Sequence, residues 1–359
     1  MSEGRKQRVL DALEQNRRRP PKFTSPRIDM SHGAGGKATH KLIEGLLLPA
    51  FDNSALAPLA DAATLPLGDA RIVLTTDSFV VRPLVFPGGS IGELAVNGTL
   101  NDLAVSGATP LALSAALIVE EGLETEALTH EIEAMADAAR NAGVSIATGD
   151  TKVVERGKAD GLYITSTGVG VADPELNLSS ASVRPGDKIL CSGTLGDHGA
   201  AILIARGDLE LEAEVLSDTR ALTPLVLALK EAAGSGLRFM RDPTRGGAGT
   251  VLNELARDSG YGVALWEENI PIREVVNGAC EILGIDPLYV ANEGKLLAVV
   301  APETADSALE ALRGIEGGEE AGIIGEIREE PERMVLMHTR FGGARMIDML
   351  VGDPLPRIC

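Results

Sequence analysis

Hydrophobic and polar residues along the first half of the chain follow a pattern that predicts strands and helices in alternation. A β-rich run at 71–76 is followed by a helical stretch at about 91–106 and by an apolar run at 111–119. Residues 124–141 place apolar side chains at helical spacing, and a short strand is expected at 144–148. The order of these elements predicts a mixed α/β domain.

A second α/β unit is predicted to begin at a turn formed by residues 184–187, before a strand at 188–191. The same patterns predict helices at about 222–233, 247–259 and 305–313, and a strand at 295–300. Beyond residue 340 the pattern thins, and Pro354 and Pro356 disfavour a helix and keep the backbone extended.

The chain therefore divides into four predicted segments. They are a disordered N-terminal extension at 1–27, a first domain at 28–173, a second domain at 174–340 and a flexible tail at 341–359. The predicted fold class is α/β (α+β), with two domains and an extended tail that carries Cys359. We assign no function to the extension.

Composition narrows the classes of function. Hydrophobic residues make up 44% of the chain and charged residues 24%, which is typical of a globular protein. The formal net charge of −19 argues against nucleic acid as a partner, because phosphates would be repelled. The sequence has neither a membrane-length apolar run nor a secretory signal, so we expect no membrane association and a cytoplasmic location. Cys191 and Cys280 are expected in the core, since three cysteines form no disulfide framework.

Acidic residues stand beside Gly, Thr or Asn at the predicted ends of several elements. They are Asp61, Asp77, Asp102, Asp150 and Asp242. Each alone is typical of a helix cap or a turn. Together they suit Mg²⁺, a hard cation that binds carboxylate and phosphate oxygens, and therefore a bound nucleotide. Both interpretations stay open from spacing alone.

The predicted helix at 91–106 carries an unusual polar stripe. Glu93, Asn97 and Asn101 share one face at intervals of four residues, whereas the rest of the helix is apolar. Asparagine is a poor helix former and a solvated face would use Lys and Glu, so we expect this stripe to contact a ligand or a partner subunit.

Two glycine-rich segments are candidates for phosphate binding. The first, at 32–37, contains Gly35, Gly36 and Lys37, but its spacing does not match a P-loop. The second opens a predicted helix, whose N–H groups would face an anion, and comprises Thr244, Arg245, Gly246 and Gly247. A flexible glycine loop is the alternative for each.

The last residue of the sequence, Cys359, follows a proline-stiffened segment and is not expected in the core. Its thiolate would serve as a nucleophile and attachment point on a swinging arm. An arm of this length would reach roughly 60 Å when fully extended, enough to visit a partner and return. The alternative is a terminal thiol without a role.

Several motifs together resemble the HypE family of hydrogenase maturation proteins, which belongs to the PurM-like ATP-dependent enzymes. They lie at 32–37, 76–81, 97–104, 149–154, 242–247, 292–295 and 356–359. The resemblance runs from about residue 28 to the end. The final Pro-Arg-Ile-Cys is its most specific part, because other PurM-like enzymes do not end in this way.

The resemblance implies an activity and its partners. HypF, a carbamoyltransferase, would load a carbamoyl group onto Cys359. ATP would then activate the carboxamide oxygen, and loss of phosphate would leave a thiocyanate. Its cyanide would pass to iron on the HypC–HypD complex, for nickel–iron hydrogenase. A homodimer is also implied, with its first domains packed together and ATP bound near their interface.

The resemblance also implies roles for the candidate residues. Asp61, Asp77, Asp102 and Asp242 would bind Mg²⁺. Glu293 would be the catalytic base, and Lys152 would orient the substrate or stabilise developing charge. Nucleotide contacts would come from Lys37, Gly35, Gly36, Asn97, Asn101, Asp150, Thr151, Thr244, Arg245, Gly246 and Gly247. The alternative for residues 293–295 is a simple turn before a strand.

Two rival functions remain open at this point. One is another PurM-like activity, such as selenophosphate synthesis or a small-molecule kinase. Selenophosphate synthetases are expected to carry Cys or selenocysteine in the segment corresponding to 32–37, and this chain has neither there. The other rival is a nucleotide-binding scaffold without catalysis, which would have no need for the acidic positions or for Glu293.

Overall fold

A computed structural model describes residues 22–207, 214–352 and 357–359 of the chain. Its first domain contains a five-stranded sheet in the order β1-β2-β7-β5-β6 and a short hairpin, β3–β4. The strands are β1 (Ala63–Leu67), β2 (Ala70–Phe79), β3 (Val85–Phe86), β4 (Gly89–Ser90), β5 (Ala108–Glu120), β6 (Ser145–Val154) and β7 (Leu162–Ala172). The helices are α1 (Lys37–Leu42), α2 (Leu48–Phe51), α3 (Ile91–Val105) and α4 (Thr125–Asn141).

The inner face of this sheet packs against α3, which contacts β2, β5 and β7. Leu94, Leu100 and Leu103 are fully buried, and each contributes about 2 kcal/mol of burial free energy. Helix α4 packs against α3 in turn. Helix α3 is therefore buried nearly all round, which explains how a helix containing Asn97 and Gly98 is stable: packing outweighs its weak helix propensity.

The outer face of the same sheet is not covered by any described element. Leu74 and Ile118 are 40% and 38% exposed on this face. Small uncharged side chains fill the space between them, and hydroxyl pairs such as Thr76–Thr167, at 2.7 Å, link neighbouring strands. Away from its β6 edge this face is largely uncharged, which is typical of a sheet that packs against another protein surface.

The second domain is built on a seven-stranded sheet in the order β14-β13-β10-β12-β8-β11-β9. Its strands are β8 (Lys188–Cys191), β9 (Leu237–Arg241), β10 (Gly262–Trp266), β11 (Leu297–Val300), β12 (Gly322–Arg328), β13 (Val335–His338) and β14 (Ala344–Ile347). Its helices are α5 (Asp197–Arg206), α6 (Thr223–Ala233), α7 (Gly247–Ser259), α8 (Glu274–Leu283) and α9 (Ala305–Arg313). Helices α6 and α9 pack together on one side, and α7 contacts β10 and β13.

The predicted elements recur with ends shifted by at most three residues, and two differences are larger. Strand β6 was expected to end at residue 148, but it continues to Val154, because residues 149–154 pair in parallel with β5. Strand β14 lies beyond the predicted domain boundary at residue 340, where it pairs with β13. Residues 1–21 of the predicted extension and 353–356 of the predicted tail lie outside the described residues. Among the described residues, no helix combines the length and apolar character needed to cross a membrane.

Candidate active site

Three carboxylates from both domains converge in a buried cluster. Asp61 precedes β1, Asp102 lies on α3 and Asp242 follows β9, and one oxygen of each lies within 4.8 Å of the others. Thr75 Oγ1 lies 2.5 Å from Asp102 Oδ2, which fixes the orientation of that carboxylate. Asp77 points inward from β2 on the same side. These are the four residues that the sequence resemblance nominates for Mg²⁺.

Burial and mutual repulsion disfavour the ionised form of the carboxyl groups in this cluster. Burial raises the pKa of Asp61 to about 6, although Arg241 Nε lies 2.9 Å from its Oδ1. Burial raises the pKa of Asp102 and Asp242 far above the usual range, and neighbouring carboxylates raise it further. A divalent cation bound by these carboxylate oxygens would remove the repulsion between them. The set of oxygen donors therefore fits Mg²⁺.

Glu293 and Cys359 meet beside the carboxylates in a small cavity of about 30 Å³. Glu293 is 3% exposed, and its Oε1 has no hydrogen-bond partner among the described residues. Burial raises the pKa of Glu293, as do Asp242 and Asp218. Burial and the Glu293 carboxyl group raise the pKa of the Cys359 thiol above its ordinary value. The docked sulfur is therefore a protonated thiol, aimed at an acidic side chain with unused hydrogen-bonding capacity.

A larger cleft of about 290 Å³ adjoins this cavity and shares Arg245 and Cys359 with it. Gly246 begins α7 from the left-handed conformation, with φ at 80°, and lines the cleft at the N-terminus of that helix. A helix N-terminus with an adjacent arginine is suited to an anion. Attraction to the ionised forms of Cys359, Asp77 and Glu293 raises the pKa of Arg245, although burial opposes it, so the guanidinium group stays charged.

The glycines of the first segment serve close packing. A Cβ atom at Gly35 would lie 2.6 Å from the carbonyl oxygen of Arg245, and one at Gly36 would lie 2.3 Å from that of Leu350. Lys37 Nζ lies 2.6 Å from Asp348 Oδ2. This segment therefore packs against Arg245 and Leu350, and Lys37 is ion-paired near the rim of the cleft.

The segment at 149–152 lies away from the cluster in this chain. Asp150 and Lys152 are 65% and 69% exposed in their side chains, and they form an ion pair at 2.9 Å. Thr151 donates its N–H to Asp150 Oδ1. The register places Asp150 beside Ala116 and Lys152 beside Ile118, on the uncovered face. The segment lies within β6 rather than at a strand end, so the expected delivery of these residues to the carboxylates does not occur within one chain.

Comparison with known proteins identifies the family. The description "AIR synthase related protein" matches twice, as N-terminal domain at residues 59–172 and as C-terminal domain at 184–337. The carbamoyl dehydratase HypE of Azotobacter vinelandii is 54% identical over 332 residues, which cover 92% of this chain and 97% of that protein. The chain belongs to the HypE family of carbamoyl dehydratases.

Solved HypE structures agree with this assignment. The structure of a HypE–HypF complex has a TM-score of 0.81 and 45% identity, covering 86% of this chain and 99% of that one. HypE in complex with ATP has a TM-score of 0.77 and 44% identity, covering 93% and 100%. The predicted two-domain PurM-like α/β fold is thus confirmed.

The asparagine side chains of α3 contact the second domain of the same chain. Asn101 donates to the carbonyl oxygens of Arg220 and Glu293, and its Oδ1 accepts from Leu222 N–H. Asn97 lies 3.4 Å from Thr219 Oγ1. Both side chains are directed to the second domain of the same chain. Asn101 therefore holds the backbone of Glu293, and its hydrogen-bonding atoms are occupied.

Sequence reasoning missed Asp218. Its Oδ1 accepts the N–H of Glu293 at 3.0 Å, and its Oδ2 lies 3.2 Å from Lys295 Nζ. Asn101 and Asp218 thus hold the two backbone groups of Glu293 from opposite domains. The polar run at 217–220 was the available signal, but a run of this kind in a single sequence is equally typical of a surface loop.

Proposed function

We propose that this chain uses ATP to dehydrate an S-carbamoyl group on Cys359 to a thiocyanate, which supplies the cyanide ligand of iron in nickel–iron hydrogenase. The observation that carries the proposal is the position of Cys359, which lies against Glu293 and Arg245 beside the carboxylate cluster. The relatives named carbamoyl dehydratase, and the HypE structure with ATP, support the reaction and its nucleotide.

The chemistry assigns two tasks to the protein. Transfer of the γ-phosphoryl group of ATP to the carboxamide oxygen, with loss of one N–H proton, converts a poor leaving group into phosphate and releases ADP. Cleavage of the C–O bond, with loss of the second N–H proton, then releases phosphate and forms the C≡N bond. Glu293 accepts a proton in this sequence, and its raised pKa makes its carboxylate a stronger base than an ordinary glutamate.

The remaining cleft residues bind and orient the nucleotide. Arg245 and Thr244 line the small cavity, and Gly246 and Gly247 place the start of α7 towards the phosphates. Asp61, Asp102 and Asp242, with Asp77, would hold Mg²⁺, which neutralises phosphate charge when bound. Lys37, Gly35 and Gly36 shape the rim of the cleft.

The active form is a homodimer packed through the uncovered sheet face. Ser78 lies on this face and also lines the cleft, so a second copy on the face reaches the cleft as well. In this dimer a two-fold axis runs parallel to β7 between the two packed sheets. It sets the β6 edge of one chain towards the β2 side of the other. Asp150, Thr151 and Lys152 of one copy then complete the site of the other, where Lys152 orients the substrate.

HypF loads the carbamoyl group, and the solved HypE–HypF complex supports this partnership. The HypC–HypD complex is the acceptor of the cyanide. The cytoplasmic location stays a prediction. A non-catalytic scaffold does not explain a buried carboxyl group with an unpartnered oxygen beside the carrier thiol.

The test is the intact mass of the protein after carbamoylation by HypF, followed by Mg–ATP. With Mg–ATP we expect the adduct to lose the mass of one water molecule. With ATP and a chelator of Mg²⁺, the mass of the adduct should not change. Cys359→Ala should never form the adduct. An adduct that persists in Mg–ATP would reduce Cys359 to a carrier and favour the kinase or scaffold alternatives.

A further inference from the structure

Residues 357–359 lie beside the backbone that continues from β2. The N–H of Val80 donates to the Cys359 carbonyl oxygen at 3.1 Å, and the N–H of Arg82 donates to that of Arg357 at 3.3 Å. Both bonds run from the N–H groups of residues 80 and 82 to carbonyl oxygens of the tail, and they hold the last three residues against this segment. Backbone pairing of this kind accepts any sequence, so selectivity requires side-chain contacts.

The residue between the two backbone bonds is held by a buried histidine. The Ile358 carbonyl oxygen lies 2.6 Å from Nε2 of His198, which is fully buried near the start of α5. Nδ1 of the same ring lies 2.8 Å from Ser217 Oγ, which itself accepts the N–H of Thr219. The Ser217 hydroxyl therefore donates to Nδ1, and Nε2 carries the hydrogen that is donated to Ile358. Burial lowers the pKa of His198, in agreement with this neutral form.

The side chain of Ile358 is also selected by its surroundings. It is 3% exposed and packs into the apolar cluster that contains Ala200 and Ala291. A Cβ atom at Gly199 would lie 3.3 Å from Ile358 Cδ1 and 2.3 Å from Val290 Cγ1. The close approach of α5 at this point thus depends on glycine.

The preceding residue is held by charge. Arg357 NH1 lies 3.0 Å from Asp160 Oδ2. Arg206, at the end of α5, donates to the carbonyl oxygens of Arg357 and Arg82, the latter at 2.6 Å. Each of residues 357–359 is therefore contacted by groups that belong to the body of the fold.

We propose that His198, the Ile358 pocket beside Gly199, and Asp160 form a recognition site for the chain's own segment Arg-Ile-Cys, and that His198 is the positioning residue that keeps Cys359 in the cleft. The inference builds on the proposed function, in which the thiol must leave to be loaded and return to react. His198 contacts no reacting atom and acts through Ile358.

Alkylation of Cys359 by N-ethylmaleimide tests this site without ATP or a carbamoyl group. The docked thiol is half-buried and faces the Glu293 carboxyl group, so we expect it to react from the undocked tail. We expect His198→Leu and Ile358→Ala to raise its labelling rate by at least about tenfold, because each removes a buried contact. His198→Gln, whose side-chain amide can donate to the same carbonyl, should restore protection.

Cys191 and Cys280 are buried in the body of the protein and provide the internal control. Both should stay unlabelled if only the tail is released. Should His198→Leu also expose Cys280, Ile358→Ala decides, since Ile358 belongs to the tail itself. Unchanged labelling of Cys359 in Ile358→Ala would overturn the proposal. A failure of dehydration alone would bear on the proposed function and leave this test intact.

Discussion

Two regions of the molecule carry charged candidate site residues, one buried in the cleft and the other exposed on β6. In the cleft, Glu293 is buried, its backbone is held from both domains, and its carboxyl group faces Cys359. On β6, Asp150 and Lys152 lie in solvent and neutralise each other. One region is ordered by a single chain, and the other needs a second surface before it has any fixed geometry. A site built within one chain is evident from burial, whereas the β6 residues of the proposed shared site stay exposed until a second copy binds.

The largest effect is expected in the buried half. Glu293→Gln keeps the shape of the side chain but removes the proton acceptor, so dehydration of the carbamoylated protein should slow about 10³-fold. Loading by HypF should be unchanged. Thiocyanate formation measured by mass spectrometry checks this result, with the exposed Glu329→Gln as the matched control. Dehydration at the normal rate would remove Glu293 from the mechanism.

The next effect concerns the uncovered face. Ile118→Glu replaces an apolar side chain of the proposed contact with a charged one, and the protein should elute as a monomer in size-exclusion chromatography with light scattering. Activity should fall by at least as much as in Lys152→Ala, since the monomer lacks the β6 segment of a second copy.

Leu227→Glu is its control. Leu227 is 60% exposed on α6 in the second domain, away from this face, and its substitution should leave the dimer intact. A dimer that persists in Ile118→Glu would place the subunit interface elsewhere.

Lys152→Ala should have a smaller effect, a loss of about tenfold to 10²-fold in the rate of dehydration. The unfolding midpoint should not change, because the Asp150–Lys152 pair is exposed and contributes little to stability. Lys158→Ala, another exposed lysine of the first domain, serves as the control. Full activity in Lys152→Ala would exclude β6 from the site.

The smallest expected effect is a displacement of the pH profile. Asp218 raises the pKa of Glu293, so Asp218→Asn should lower that pKa and move the acid limb of the dehydration rate to lower pH. The sign follows because Glu293 accepts protons only when it is deprotonated. Asp197→Asn is the matched control, since Asp197 is a second buried carboxylate whose side chain accepts from Thr194 and contacts neither backbone group of Glu293. An unmoved acid limb in Asp218→Asn would mean that another group titrates.

Much of the fold could be predicted from the sequence, because the spacing of hydrophobic residues indicates directly which side chains are buried. Strand β8 and helices α7 and α9 have the predicted bounds, since each is a short apolar pattern between turn residues. Strand β6 was predicted too short because its exposed residues alternate weakly. It is stabilised by pairing with β5, a long-range contact that has no local signal.

The candidate site could be predicted from the sequence where the residue type alone indicates its chemical role. Asp61, Asp102 and Asp242 were nominated as a set and lie together. The polar stripe predicted that Asn101 contacts a ligand or a partner subunit, and in the structure its side chain contacts the backbone at Glu293 and Arg220. His198 gave no signal, since its role depends on where residues 357–359 dock.

Complementation tests most directly whether the site is shared between two chains. Glu293→Gln and Lys152→Ala are co-expressed with different tags, and the mixed dimer is purified. In that dimer one of the two sites combines an intact Glu293 with an intact Lys152 from the other chain, so about half of the wild-type rate should return. If both residues acted within one chain, every site would carry one lesion, and the mixed dimer would be no more active than the average of its two parent homodimers.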